Sequence, residues 1–296
     1  MRRFLAAIAL LAWAAAAWAQ GTRFPQDYQG LWWNPLESGW GVGVFDHGTT
    51  GPTPISSVLF VYGADGRPTW YIAPDLRDCP ASFPPFVAVT CGGTIYRTSG
   101  PWFGGPYIAS SVSAREAGQW GAYFTGQLND VRYARPRELA LSLTIDGTTL
   151  RRDHLVLQDI GGSAKSLFDA AAGQYAGLWW DPDEPGWGVG VFHYRNTVFA
   201  VLFVHGSDRQ PTWFATVLRE SFPMANAPGA PYRQFDGPLF ETRGTAWFAP
   251  GFALTQARQA GTAQLVFPSP STASLTYSVD GTSVTKALRR LSSLRP

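Results

Sequence analysis

The sequence predicts an all-β chain: two similar antiparallel barrels in tandem, each of roughly eight up-and-down strands. Three observations carry this expectation. A tryptophan-rich phrase occurs twice, as GLWWNPLESGWG at residues 30–41 and GLWWDPDEPGWG at 177–188. Apolar residues alternate with period 2 between Gly, Pro and Asp punctuation, the pattern of half-buried strands. Asp-Gly pairs at 65–66, 146–147 and 280–281 fall where hairpins should reverse. Two-sheet β-sandwiches satisfy the same strand count and stand as the alternative architecture.

The chain of 296 residues opens MRRFLAAIALLAWAAAAWAQ. Arg2 and Arg3, the apolar stretch from Phe4 to Trp18 and the small-x-small site Ala17-Trp18-Ala19 predict a signal peptide over residues 1–19. Export to the periplasm or beyond follows from it. No later segment is long and apolar enough to span a bilayer as a helix. Loss of the leader lowers the basic count from 23 to 21, against 21 acidic side chains. A neutral balance lacks the excess positive charge that drives binding to nucleic acid. Cys79 and Cys91, the only cysteines, share one Pro-rich loop. In an exported protein that pair predicts a disulfide, which by closing a short loop contributes roughly 3 kcal/mol.

The internal match divides the chain into a first barrel at 20–160, a Gly/Ala/Ser-rich linker at 161–174 and a second barrel at 175–296. Tyr28 to Phe45 aligns without gaps on Tyr175 to Phe192, and residues 58–71 align on 201–214. Residues 93–103 fall near 237–248, and 141–152 match 275–286. In the first copy strands are expected near 30–34, 39–46, 54–63, 68–76, 93–98, 119–126, 138–146 and 148–158. Trp40, Val42 and Val44 share one face opposite Gly41, Gly43 and Phe45. Val58, Phe60 and Tyr62 alternate with Leu59 and Val61, and Leu139, Leu141 and Leu143 alternate with Ala140, Ser142 and Thr144. A closed barrel suits such a meander because closure removes exposed edges, and the strand glycines permit bends and close backbone approach.

The phrase GLWWNPLESGWGVGVF followed by VLFVYGADGRPTWY resembles a repeat of exported, mostly uncharacterised proteobacterial proteins, in which a WWNP-ESGWG stretch precedes (Y/F)xxDGxPxW. The second copy departs from it at Pro185-Gly186 and Asp208-Arg209, among other positions. The resemblance implies export and a β fold, and no particular activity. Gly30-Leu31-Trp32 and Gly177-Leu178-Trp179 are similar to the Gly-x-Trp first strand of avidin and lipocalin barrels, which supports the barrel without implying biotin binding.

Hydrolytic signatures such as GxSxG, HExxH and the Walker glycine loop are missing from the sequence. Of His47, His154, His193 and His205, only His47 and His193 fall in roughly matching places, and each reads as a solvated hairpin-end residue. Glu37 and Glu184 occupy equivalent positions inside the Trp-rich turn. A carboxylate against indole can act as a general acid. No second carboxylate recurs within the phrase in both copies, so the preferred role is capping the turn's backbone N–H groups. Asp181, Asp183 and Glu184 suggest a calcium loop, but the first copy offers Asn34, Leu36 and Glu37 there, so no shared metal site is expected, and no cofactor.

Eleven of the thirteen tryptophans follow the leader. Adjacent strand residues point to opposite sides, so one Trp of each WW pair packs the interior while its neighbour fills a domain interface or lines a barrel mouth. The candidate ligand-binding residues are Trp33, Glu37, Trp40 and Trp70 in the first copy, and Trp180, Glu184, Trp187 and Trp213 in the second. The function expected is that of an exported, non-catalytic binding or interaction protein with Trp-lined sites at the barrel mouths. Its ligand would be a glycan, a cell-wall fragment or a small apolar molecule. The alternatives are an exported hydrolase or lyase using Glu37 and Glu184, and a surface module that contacts another protein.

Overall fold

The computed structural model describes residues 29–47, 55–76, 81–82, 86–128, 134–157, 175–222 and 233–291. The expected signal peptide, the expected linker and Cys79 lie outside the described residues. The first domain contains β1 (Gly30–Trp33), β2 (Gly41–Asp46), β3 (Ile55–Tyr62), β4 (Pro68–Leu76), β5 (Ala81–Ser82), β6 (Phe86–Ser99), β7 (Ser113–Leu128), β8 (Ala134–Ile145) and β9 (Thr148–Leu157). The second contains β10 (Gly177–Trp180), β11 (Gly188–Tyr194), β12 (Thr197–His205), β13 (Pro211–Phe222), β14 (Arg233–Gly244), β15 (Leu254–Phe267), β16 (Thr272–Val279) and β17 (Thr282–Arg290).

The second domain is a closed eight-stranded barrel in which each strand pairs antiparallel with the next and β17 returns to β10. The first closes in the same way. β9 pairs with β1, and β4 meets β6 at Ile72 opposite Tyr96. The two-residue β5 is an addition the sequence pattern does not show; it pairs with the start of β6. Closure settles the barrel over the sandwich.

The Asp-Gly turns fall as expected. Asp146 and Gly147 have φ of 48° and 80°, and Asp280 and Gly281 have 47° and 84°, the left-handed pair that a two-residue hairpin demands. A bidentate guanidinium holds each Asp: Arg115 on Asp146 and Arg258 on Asp280. In the second copy Arg209 adopts φ 63° where Gly66 has 72°.

Both interiors are filled by side chains. Trp32 and Trp179 are 0 % exposed, each edge-on to an equivalent phenylalanine, Phe124 at 5.4 Å and Phe267 at 5.2 Å. Burial of large aromatic area of this kind dominates the stability of small cores. Trp33 and Trp180, next in each strand, are half-buried on the outer face.

A second hydrophobic face joins the barrels. All eight residues of β3 are buried, because one face of the strand lines the first barrel and the other packs on the second domain. The cross-domain contacts come in reciprocal pairs. Phe45 packs on Phe192 at 5.5 Å and Phe60 on Phe203 at 5.9 Å, each pair being the same position in both repeats. Trp70 Nε1 donates to the Val204 carbonyl and Trp213 Nε1 to the Val61 carbonyl, both at 3.0 Å. Such reciprocity is the mark of an isologous, twofold interface, here within one chain. The strand glycines permit it: a Cβ on Gly190 would lie 2.9 Å from Phe45 Cζ, and one on Gly43 3.3 Å from Phe192 Cζ.

Candidate functional site

The Trp-rich turns are built alike. Asn34 Oδ1 accepts the Leu36 N–H at 3.0 Å, and Asp181 Oδ1 accepts the Asp183 N–H at 3.0 Å. The turn is therefore capped by Asn34 and Asp181, and not by the glutamates as the sequence suggested. Glu37 and Glu184 reach instead to the last strand of their own barrel. Glu37 lies 3.4 Å from Arg152, and Glu184 pairs with Lys286. Arg152 and Lys286 are the same repeat position, so this ion pair is conserved between the two halves of the chain.

Each barrel mouth is closed by a loop from the other barrel. The segment after β6 crosses to the second barrel, where Phe103 packs on Phe214 and Tyr277, and Tyr107 donates to the Pro185 carbonyl at 3.0 Å. The segment after β14 crosses to the first, where Phe252 packs on Trp40 and Tyr62. The two loops are anchored equivalently: Phe103 N–H donates to the His205 carbonyl and Trp247 N–H to the Tyr62 carbonyl, both at 3.0 Å. Phe103 and Trp247 thus occupy the same place in the two crossing loops.

These loops set the fate of the expected site residues. Trp40 is buried beneath Phe252. Trp187 is half-buried beside Lys286, whose Nζ lies 6.0 Å from the ring centroid. The cavity that Glu184 and Trp187 share with the crossing loop is about 20 Å³, room for about one water. Trp70 and Trp213 lie in the barrel junction and not at a mouth.

A larger cavity, about 410 Å³, runs along the junction between the hairpin turns of the two barrels. Its volume falls in the range of small-ligand sites, ~300–1,000 Å³. Polar groups converge on it from both sides. Arg67 reaches across to Asp208 at 2.8 Å, and Arg97 Nη2 donates to Gln210 Oε1 at 3.1 Å. Hydrogen bonds from Arg115 hold the Asp146 carboxyl below its usual range, so it lines the cavity as an anion. Burial pushes the Tyr71 phenol above its usual value, leaving a neutral hydroxyl. Thr69, only 7 % exposed, is among the lining residues, and its Oγ1 is buried without a hydrogen-bond partner. The apolar wall comes from Trp247 and from Phe248, which is 47 % exposed at the rim.

None of the eight residues singled out from the sequence lines this groove. A signal for it was present, namely the positions where the repeats differ: Arg67 against Gln210, Tyr71 against Phe214 and Arg97 against Glu241.

The histidines also differ from expectation. His47, His193 and His205 are buried; only His154 is exposed, 3.4 Å from Glu138. His205 sits in the junction with Nε2 3.0 Å from Thr98 Oγ1, and its repeat equivalent Tyr62 donates to Thr242, the equivalent of Thr98. Burial lowers His205 to about 4, helped by Arg209, and lowers His193 to about 4 at the far end of the second barrel. Cys91 is buried on β6 opposite Ala122.

No helix among the described residues is long and apolar enough to cross a membrane. No protein-family model, curated protein or solved structure matches the chain.

Proposed function

We propose that this chain is an exported, non-catalytic binding protein whose ligand occupies the groove between its two barrels. The observation that carries this reading is the contrast between the cavities. The Trp-rich mouths are sealed by crossing loops, whereas the junction keeps about 410 Å³ lined by convergent polar groups and an aromatic wall. In this reading the repeated phrase is scaffold. Trp32 and Trp179 fill the interiors, Trp40 and Trp187 seat the crossing loops, and Glu37 and Glu184 tie the turns to the last strands. The pairing of each glutamate with a cation of its own barrel supports that role over acid catalysis. A Cys79–Cys91 staple in the first barrel belongs with the exported setting.

Trp247 lines the groove, so its fluorescence reports occupancy. Titration of the chain lacking residues 1–19 with neutral saccharides, cell-wall fragments and apolar small molecules should give saturable quenching by at least one class. That response should weaken in Arg97→Ala and persist in Trp187→Ala. Loss in Trp187→Ala with retention in Arg97→Ala would move the site to a barrel mouth and overturn the proposal.

A further inference from the structure

The groove's chemistry selects among ligand classes, and it does so on one side of the junction only. The two repeats share the frame, with Pro68 and Pro211, Thr69 and Thr212, and Asp65 and Asp208 all in the lining as equivalent pairs. The remaining lining breaks the symmetry. Tyr71 and Arg97 come from the first barrel, where the second has Phe214 and Glu241; Trp247 and Phe248 come from the second, where the first has Phe103 and Gly104. On the twofold-related side Phe103 covers Phe214, and Gly104 is packed so that a Cβ would meet Thr282 at 2.8 Å. The asymmetry therefore defines one site per chain.

Charge in the open site is balanced. Arg67, Arg97 and the Arg115 that holds Asp146 face Asp65, Asp146 and Asp208. An ionic ligand of either sign would meet its own charge at close range. A purely apolar ligand would desolvate the surrounding guanidinium and carboxylate groups without replacing their hydrogen bonds. A hydroxyl both donates and accepts, so a ligand rich in neutral hydroxyls satisfies donors and acceptors alike. Phe248, exposed at the rim and perpendicular to Trp247 at 5.5 Å and 88°, offers a flat apolar surface beside these polar groups.

We infer that the groove takes a neutral saccharide of one or two rings. Its C–H face lies on Phe248, and its hydroxyls are bound by the Arg97 guanidinium and the Asp65 carboxylate. This rests on the reading of the groove as the ligand site and adds the chemical class.

The test is calorimetric titration of the chain lacking residues 1–19 with cellobiose, maltose, N,N′-diacetylchitobiose, glucuronate, inorganic phosphate and 1-naphthol. At least one neutral disaccharide should bind saturably with a stoichiometry of about one. Its affinity should fall about tenfold in Asp65→Ala and in Arg97→Ala, the scale of one lost hydrogen bond to a charged group. Binding confined to glucuronate, phosphate or naphthol and lost in Arg97→Ala overturns the class and leaves the groove as the site. Disaccharide binding indifferent to both variants overturns the site. No binding by any probe to the folded chain overturns both.

Discussion

Trp70 and Trp213 each hold the other's barrel: Trp70 Nε1 donates at 3.0 Å to the Val204 carbonyl, and Trp213 Nε1 donates at 3.0 Å to the Val61 carbonyl. The donors are one repeat position and the acceptors another, so the junction is bonded twice in the same way. Replacing either indole by phenyl keeps much of the apolar area but strands a buried carbonyl. Trp70→Phe and Trp213→Phe should each destabilise by about 1–3 kcal/mol, and by similar amounts. Urea unfolding at constant m measures it; a loss at one site only would argue against the twofold arrangement.

Acid should loosen the junction at His205 and the far end of the second barrel at His193. Histidine in an unfolded chain titrates near 6.5, whereas burial lowers folded His205 and His193 to about 4. Between these values the unfolded chain binds more protons, so stability is full above about pH 6.5 and declines as pH falls toward about 4. The decline is at most roughly 3 kcal/mol per histidine. His205→Tyr copies the residue at the equivalent position, Tyr62, and should flatten part of this decline. Identical urea midpoints across pH 4–7 in parent and variant would contradict it.

The glutamates of the repeated phrase should behave as structural ion pairs. Glu37→Gln leaves Arg152, and Glu184→Gln leaves Lys286, half-buried without its carboxylate. Each change should cost about 1–3 kcal/mol, the lower part of the range for breaking a buried pair because both sites retain some solvent. Neither should alter groove affinity, which calorimetry on the two variants can check.

Two glycines outside the phrase should prove as restrictive as those within it. A Cβ on Gly100 would lie 2.5 Å from His205 Nδ1, and one on Gly244 2.2 Å from Tyr62 Cε2. These are equivalent positions beneath equivalent rings of the junction. Gly100→Ala and Gly244→Ala should each lower stability by about 1–3 kcal/mol through overpacking, read as a fall in Tm. Gly147→Ala offers a contrast: no atom lies within 4 Å of its Cβ, and only its φ of 80° opposes the change.

The architecture was largely written in local pattern. The period-2 runs place β1 to β4 within two residues of their ends, and the Asp-Gly pairs at 146–147 and 280–281 mark tight turns. β6 and β7 extend well past the expected strands, over Phe86–Ser99 and Ser113–Leu128. Their outer stretches depend on pairing partners more than on apolar alternation. The junction was harder to read. Alternation shows that Val58, Phe60 and Tyr62 share a face, but not whether that face meets the interior or a second domain. The unbroken apolar run from Val58 to Tyr62 did carry a clue, since a strand apolar on both faces is covered on both. The groove was illegible for a further reason. Its residues come from hairpin ends and a crossing loop more than a hundred positions apart, and they are marked by difference between the repeats, while the repeated phrase draws attention to likeness.

The central claim is that the two barrels form one body through a shared twofold junction, and scanning calorimetry of the chain lacking residues 1–19 tests it most directly. The account predicts a single unfolding transition whose calorimetric and van't Hoff enthalpies agree for the whole chain, shifted to lower temperature by Trp70→Phe and Trp213→Phe alike. Two separate transitions, each with its own barrel's enthalpy and neither moved by these substitutions, would contradict it.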